Sequence, residues 1–130
     1  MYMLDTNTLI YFFKNLGEVK KNLLLHSPKE ILIPSIVLYE LEVGIAKSNS
    51  PTKRKNQLSA LSKQVNIVDF TQKDAKESAL IRAYLEKRGE TIGAMDILIA
   101  GLAKANNATL VTHNTNEFKR VKDLRLEDWF

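Results

Sequence analysis

Four short apolar segments, each followed by residues with helical periodicity, constrain the fold of this chain more than any other feature. They are Met1–Leu4, Ile31–Ile33, Val65–Phe70 and Thr109–Thr112. Strands that alternate with helices are typical of a parallel sheet, because the crossover helices cover its faces. We therefore predict an α/β fold, a three-layer sandwich whose mostly parallel sheet of four or five strands is flanked by helices.

The segments between these strands predict helices of different character. Leu16–His26 has one apolar face, whereas Ile36–Ala46 is apolar nearly all round and is expected to be deeply buried. The polar run Ser48–Thr52 predicts the tip between two helices, and Gly89 predicts a helix C-cap. The tail Leu124–Phe130 predicts an edge strand followed by an apolar plug.

Composition excludes several functional classes. A chain of 130 residues is near the common size of one domain, so we expect a single domain over residues 1–130. The absence of cysteine excludes disulfides, thiol catalysis and cysteine-ligated zinc, and the two histidines lack metal-site spacing. No apolar run reaches the length of a membrane span and no signal-peptide pattern is present, so we expect a soluble, cytoplasmic protein without membrane contact.

Asp5 directly follows the first predicted strand and is the first candidate functional residue. Ligands of parallel sheets bind beyond the carboxyl ends of the strands, which is where Asp5 would lie. Aspartate is also a favoured N-cap, because its short side chain accepts a hydrogen bond from the first turn of a helix. This stretch alone leaves both the capping and the functional interpretation open.

Further carboxylates lie in helices that are otherwise apolar. The residues three and four positions from Glu40 and from Glu42 cannot pair with a carboxylate, and periodicity does not decide which glutamate points inward. Asp96 begins a helix that is small or apolar throughout, so it is either an N-cap or a site residue. A carboxylate in such surroundings is costly unless it is paired or bound to a metal.

The charge of the chain suggests what these acids could do. Lys and Arg number 19 against 15 Asp and Glu; if Asp5, Glu40, Asp96 and Glu117 formed one metal site, the remainder would be 19 against 11, or +8. That excess favours a polyanionic partner, with a solvated basic surface as the alternative. Carboxylates about 5 Å apart repel by roughly 3 kcal/mol per pair, so convergence would imply a cation.

Four motifs together resemble the PIN-domain ribonucleases, and more narrowly the VapC toxins of bacterial toxin-antitoxin pairs. They are Leu4–Asn7, Tyr39–Gly44, Gly93–Ala100, and Leu110–Asn114 with Glu117–Phe118. The motifs have the order and spacing of that family and span essentially the whole chain. The resemblance implies a PIN-like sandwich over residues 1–130.

The resemblance also implies the roles of the candidate residues. Asp5, Glu40 and Asp96 would be catalytic acids, with Asp5 and Asp96 as ligands of Mg2+ or, alternatively, Mn2+. Many PIN domains carry an aspartate where this chain has Asn114, so Asn114 and the nearby Glu117 are both candidates for the fourth catalytic group. The residues expected to support the acids or contact the substrate are Thr6, Asn7, Thr112 and Asn114.

The activity implied is hydrolysis of RNA phosphodiesters by a toxin that inhibits translation. The tail from Phe118 to Trp129 is most similar to members that cut the anticodon loop of initiator tRNA. The implied partners are a VapB antitoxin and a second copy of the chain in a homodimer. Two alternatives remain open at this point: a metal-dependent nuclease acting on structured DNA, and a non-enzymatic α/β binding module whose acids only cap helices.

Overall fold

The computed structural model describes all 130 residues, which form a five-stranded sheet flanked by helices. The strands are β1 (Tyr2–Leu4), β2 (Ile31–Pro34), β3 (Asn66–Val68), β4 (Thr109–Val111) and β5 (Leu126–Glu127). Their order across the sheet is β3-β2-β1-β4-β5, and every neighbouring pair is parallel. The predicted α/β class is confirmed, with a sheet that is wholly rather than mostly parallel.

Seven α-helices connect the strands. They are α1 (Thr6–Lys14), α2 (Val19–Leu23), α3 (Ser35–Lys47), α4 (Thr52–Ser62), α5 (Gln72–Lys87), α6 (Ala94–Ala105) and α7 (Thr115–Phe118). The chain runs outward from β1 to β3 and then returns to the other side of β1 to form β4 and β5. The strand order therefore reverses between β1 and β4, where parallel α/β sheets bind ligands. No helix combines the length and the apolar composition that crossing a membrane requires.

The central strands are buried on both faces, as expected for short apolar runs in a parallel sheet. Met3 and Leu4 of β1, Ile33 of β2, and Leu110 and Val111 of β4 are inaccessible to solvent. The edge strand β3 is mostly exposed. The buried centre of the sheet is thus formed by β1, β2 and β4, which makes the carboxyl ends of these strands rigid places for functional side chains.

The helix predicted over Leu16–His26 is wrong in extent, because α2 covers only Val19–Leu23. Asn15 caps the end of α1 in the left-handed region, at φ 55°, and Gly17 follows at φ 60°. Two positive φ values within three residues prevent a continuous helix here, although the apolar pattern favours one. Leu24, which lies on the apolar face of the predicted helix, is 72% exposed.

The prediction that α3 is deeply buried all round is also wrong. Only Val37, Leu41 and Ile45 are buried, which form one stripe at every fourth residue. That stripe packs against α1, α6 and β2, whereas Tyr39 on another face is 57% exposed. An apolar composition shows which residues could be buried, but only the neighbours of the helix determine how many faces are covered.

Several local predictions are confirmed. The tip between helices lies where α3 ends at Lys47 and α4 begins at Thr52, and Gly89 follows α5 at φ 65°. The tail adds β5 at the edge of the sheet, and Trp129 is buried against His26, whose ring is stacked on it at 4.9 Å. Phe130 differs from the expected plug, because it is 43% exposed.

Helices α5 and α6 pack closely because a glycine lies at their contact. A Cβ atom added to Gly101 would lie 1.9 Å from Ser78 Oγ and 2.8 Å from the Cα of the same serine. Ser78 is buried and its hydroxyl donates to the Asp74 carbonyl at 2.7 Å, so it has little freedom to move away. The approach of these helices therefore depends on the missing side chain.

We predict that Gly101→Ala lowers the free energy of unfolding by about 1–3 kcal/mol, because the new methyl group forces α5 and α6 apart. Urea unfolding followed by circular dichroism measures the change. Gly44→Ala on α3 is the matched control, since nothing lies within 4 Å of its added Cβ. That control should gain about 0.5–1 kcal/mol from helix propensity. Equal stability of Gly101→Ala and the wild type would contradict the packing argument.

Candidate active site

Asp5 lies at the carboxyl end of β1, at the reversal of strand order. Its backbone N–H donates to the Val111 carbonyl at 3.2 Å, which joins it to the end of β4. One carboxylate oxygen caps α1 by accepting from the Thr8 N–H at 2.9 Å. Asp5 is only 6% exposed. The capping interpretation is therefore correct, and the cap itself fixes the carboxylate at this edge of the sheet.

Thr8 is a supporting residue that the sequence analysis missed. Its hydroxyl donates to the Val111 carbonyl at 3.1 Å, and its side chain is buried. Together with the Asp5 cap, this bond connects the start of α1 to both central strands. The available signal was its position three residues after a capping aspartate, where the backbone N–H is the usual partner of the cap.

Glu40 of α3 faces the same edge of the sheet. Its Oε1 accepts a hydrogen bond of 2.6 Å from the Thr6 hydroxyl, and the residue is half-buried. Glu42 points to solvent on another face of α3. The choice that periodicity left open is thus made by the position of α3 relative to α1. Asn7, one residue after Thr6, is exposed on the first turn of α1.

Asp96 is the third residue of α6, and it is not the cap of that helix. The N-cap is Gly93, and no side chain caps α6. Burial raises the pKa of Asp96 to about 6, with further increases from the negative charges of Asp5, Glu117 and Glu40, in that order. The three other candidate acids therefore all lie near enough to act on its charge. Of the two interpretations of Asp96, capping is excluded.

Glu117 and Asn114, the two candidates for the fourth catalytic group, are hydrogen-bonded to each other. The Asn114 amide donates to Glu117 Oε2 at 2.8 Å, and the Asn114 backbone N–H donates to the hydroxyl of Thr112 at 3.0 Å. Thr112 is completely buried at the end of β4. The asparagine thus orients a carboxylate from α7 and is itself fixed by the strand.

A further contact connects the segments that carry Glu117 and Asp96. The Arg120 guanidinium, just after α7, donates to the Thr91 carbonyl at 3.2 Å. Thr91 precedes α6 by three residues. Arg120 was not among the predicted site residues, because no local pattern shows which distant carbonyl an exposed arginine will reach.

None of the four acids has a cationic partner, although all lie close together. The ion pairs of the structure involve other carboxylates. Burial raises the pKa of Asp5 and the charge of Glu40 raises it slightly further, although hydrogen bonds from Thr112 and Thr8 oppose this shift. The site therefore concentrates negative charge without neutralising it.

These residues fit a hard divalent cation. The donors are carboxylate oxygens, they repel one another, and no lysine or arginine compensates them. No three His, Asp or Glu side chains form a ready-made ligand group. A hard divalent cation that keeps several waters needs only one or two carboxylates as ligands. Burial raises the pKa of both Asp5 and Asp96, and a bound cation would oppose that shift by favouring the charged carboxylates.

Comparison with known proteins gives consistent matches along the whole chain. The family model of the PIN domain matches residues 2–124. Ribonuclease VapC2 of Rickettsia felis is 42% identical, over 99% of this chain and 98% of its own length. The tRNA(fMet)-specific endonuclease VapC of Shigella flexneri is 36% identical, over 98% and 97%.

Solved structures agree with the sequence comparison. VapBC2 from Rickettsia felis bound to a DNA fragment from its promoter has a TM-score of 0.90 at 40% identity, covering 99% of this chain and 98% of that one. DNA-bound VapBC from Salmonella typhimurium has a TM-score of 0.92 at 33% identity, with the same coverage.

We predict that Asp96→Asn stabilises the metal-free protein at neutral pH. The folded state raises the pKa of Asp96 from 3.8 to about 6, so ionisation destabilises the fold as the pH rises through that interval. At pH 7 the variant should gain of the order of 1–2 kcal/mol, and the gain should vanish below about pH 4. Thermal or urea unfolding in chelator at several pH values measures this.

Glu42→Gln is the matched control, because it removes a carboxylate from the same protein outside the acidic site. Its effect should stay within about 0.5 kcal/mol at every pH, as for most exposed substitutions. A loss of stability in Asp96→Asn at pH 7 would show that the carboxylate is compensated in the folded state.

Proposed function

Because this chain belongs to the PIN-domain family and, within it, to the VapC nucleases, we propose that it is the toxin of a toxin-antitoxin pair and hydrolyses RNA phosphodiesters as a metal-dependent endoribonuclease. The observation that carries this proposal is the set of four carboxylates at the β1–β4 edge, which influence one another and have no cationic partner. An acidic cluster of this kind is unfavourable for stability, so it requires a functional reason.

Asp5 and Asp96 are the proposed ligands of the cation, which we take to be Mg2+, with Mn2+ as an alternative. Both groups have a raised pKa, and both come from rigid elements, the end of β1 and the first turn of α6. The chemistry that such an ion supplies is polarisation of a phosphoryl oxygen and activation of a water molecule.

Glu40 and Glu117 are the proposed groups that orient the attacking water and accept its proton. Each is fixed by one hydrogen bond, Glu40 by the Thr6 hydroxyl and Glu117 by the Asn114 amide. Neither bond uses both oxygens of the carboxylate, so each glutamate keeps a free oxygen that can face the reaction. A general base needs this combination of fixed position and free acceptor.

The proposed substrate is tRNA, with the anticodon loop of initiator tRNA as the specific target and inhibition of translation as the result. Two relatives support this choice, the tRNA(fMet)-specific endonucleases of Shigella flexneri and Salmonella typhimurium, at 36% and 34% identity. The net charge of +4 supports a polyanionic substrate as well, since the four site acids are included in that value.

The proposed partners are a VapB antitoxin and a second copy of the chain, in the cytoplasm. The solved relatives from Rickettsia felis and Salmonella typhimurium are VapBC complexes. Large apolar side chains that are exposed are candidate contacts for these partners. They include Leu24, Leu25, Tyr39 and Leu80.

We predict that the purified protein, free of antitoxin, cuts total tRNA into discrete fragments with Mg2+ or Mn2+ and not with chelator. Asp96→Asn, purified identically to exclude a contaminating nuclease, should be at least about 100-fold slower, because a cation ligand is lost. Gel electrophoresis and mapping of fragment ends measure the rate and the cut. Glu42→Gln is the control and should cut at the wild-type rate.

Three outcomes would contradict parts of this proposal. Intact tRNA under every condition, from protein shown to be folded, would exclude tRNA as the substrate. Cleavage of elongator tRNAs but not initiator tRNA would exclude only the specific target. The absence of any Mg2+ binding by calorimetry, together with the absence of cleavage, would favour a binding module without enzymatic activity.

We predict that the protein without antitoxin is a homodimer, since large apolar side chains are exposed on two helices, among them Tyr39 on α3 and Leu80 on α5. Light scattering across micromolar concentrations should give twice the mass of 14.8 kDa. A single-chain mass throughout that range would exclude the dimer and leave the enzymatic proposal unaffected.

A further inference from the structure

Three aromatic side chains contact one another, and we call Tyr11, His113 and Phe130 the aromatic cluster. The Phe130 ring is stacked on the His113 imidazole, with centroids 4.3 Å apart and planes inclined by 25°. Tyr11 packs edge-on against both rings, at 4.9 Å from Phe130 and 5.9 Å from His113. The cluster is thus an ordered stack and not a set of isolated rings.

The aromatic cluster is open to solvent, unlike the other aromatic stack of the protein. The side chain of His113 is 46% exposed and Phe130 is 43% exposed. Trp129, by contrast, is buried between His26 and Tyr2, with its indole N–H donating to Glu127. Trp129 therefore serves packing, whereas the neighbouring Phe130 is only partly covered.

Two members of the cluster belong to segments that also carry residues of the acidic site. His113 stands between Thr112 and Asn114, the two residues that connect β4 to Glu117. Consecutive Cα atoms are about 3.8 Å apart, so the His113 Cα lies that far from the Cα of Thr112 at the buried end of β4. Tyr11 lies on α1, the helix that Asp5 caps. Two of the three rings thus project from the elements that position the acids.

Asp128 forms a contact with each of the two residues of the stack. Its Oδ2 lies 2.9 Å from His113 Nδ1, and its Oδ1 accepts the backbone N–H of Phe130 at 3.0 Å. A carboxylate without a proton can only accept, so His113 Nδ1 is the donor in this contact. The Phe130 carbonyl in turn accepts from the Glu18 N–H. These bonds order the tail before any ligand arrives.

We propose that the aromatic cluster is a subsite that stacks an unpaired base of the RNA strand adjacent to the cleaved phosphodiester. Proteins commonly read single-stranded RNA by stacking its bases on aromatic side chains. A base inside a duplex has both faces covered by its neighbours and cannot extend the stack. The subsite therefore selects unpaired loops over helical RNA, and it rests on the ribonuclease function proposed above.

The first test is kinetic and uses an RNA hairpin that the wild-type protein cuts in its loop. Phe130→Leu keeps an apolar side chain but removes the ring, so KM should rise about 5- to 100-fold with kcat little changed. Phe130→Trp keeps an aromatic face and should restore the wild-type KM. Tyr84→Leu on α5, where Tyr84 is similarly exposed but contacts Arg88, is the matched control and should not change KM.

The second test measures binding without turnover. The same hairpin carries 2-aminopurine at one loop position at a time, and binding is followed in chelator by fluorescence. Stacking on the cluster should quench one position beside the cut for the wild type and for Phe130→Trp, and much less for Phe130→Leu. Circular dichroism and thermal unfolding verify that the variants are folded.

The possible outcomes distinguish failure of the proposed subsite from failure of the proposed ribonuclease function. Cleavage by Phe130→Leu with unchanged KM and unchanged quenching would overturn the subsite and leave the ribonuclease function intact. Equal effects of Phe130→Leu and Tyr84→Leu would also overturn it, because the loss would not depend on this cluster. Wild-type protein that neither cuts nor quenches the hairpin would overturn both proposals.

Discussion

Electrostatic repulsion among four carboxylates is the constraint on which the rest of this structure depends. Burial and the charges of neighbouring acids raise the pKa of Asp96 to about 6, and no basic side chain offsets them. Such a cluster would spread apart on a flexible scaffold. Here each acid is attached to a firmly packed element: Asp5 caps α1, Asp96 lies in the first turn of α6, and hydrogen bonds fix Glu40 and Glu117. The fold thus stores an unfavourable charge arrangement that a cation can relieve.

The architecture was readable from the sequence because strand and helix signals alternate without interruption. The predictions that were wrong concerned the length of α2 and the number of buried faces of α3. Asn15 and Gly17 adopt positive φ values, which interrupt the helical path that the leucine pattern favours, and a periodicity analysis does not contain that information. For α3, composition could not show that α1, α6 and β2 cover only one of its faces. Burial depends on contacts between distant segments, and a local pattern does not specify them.

The site was predictable in outline for a different reason. Acids that follow strands or interrupt apolar helices are costly, so they stand out even in a single sequence. The choice between Glu40 and Glu42 was not available from their own neighbours, because it depends on a threonine 34 residues away. The same holds for Asp128, whose carboxylate joins His113 and Phe130 by contacts that form only when the tail folds back.

The pairing of β1 with β4 has a consequence for the time at which the acidic site can form during synthesis of the chain. Tyr2 pairs with Thr109 and Leu4 with Val111. The strand β1, which directly precedes Asp5, therefore has no partner on that side until more than 100 further residues exist. Contacts of such sequence separation form late, because the chain must first close a long loop. A nascent chain on the ribosome therefore has its first acid long before it has the other three in place. The ribosome that makes this protein can complete nearly the whole chain before an assembled site exists.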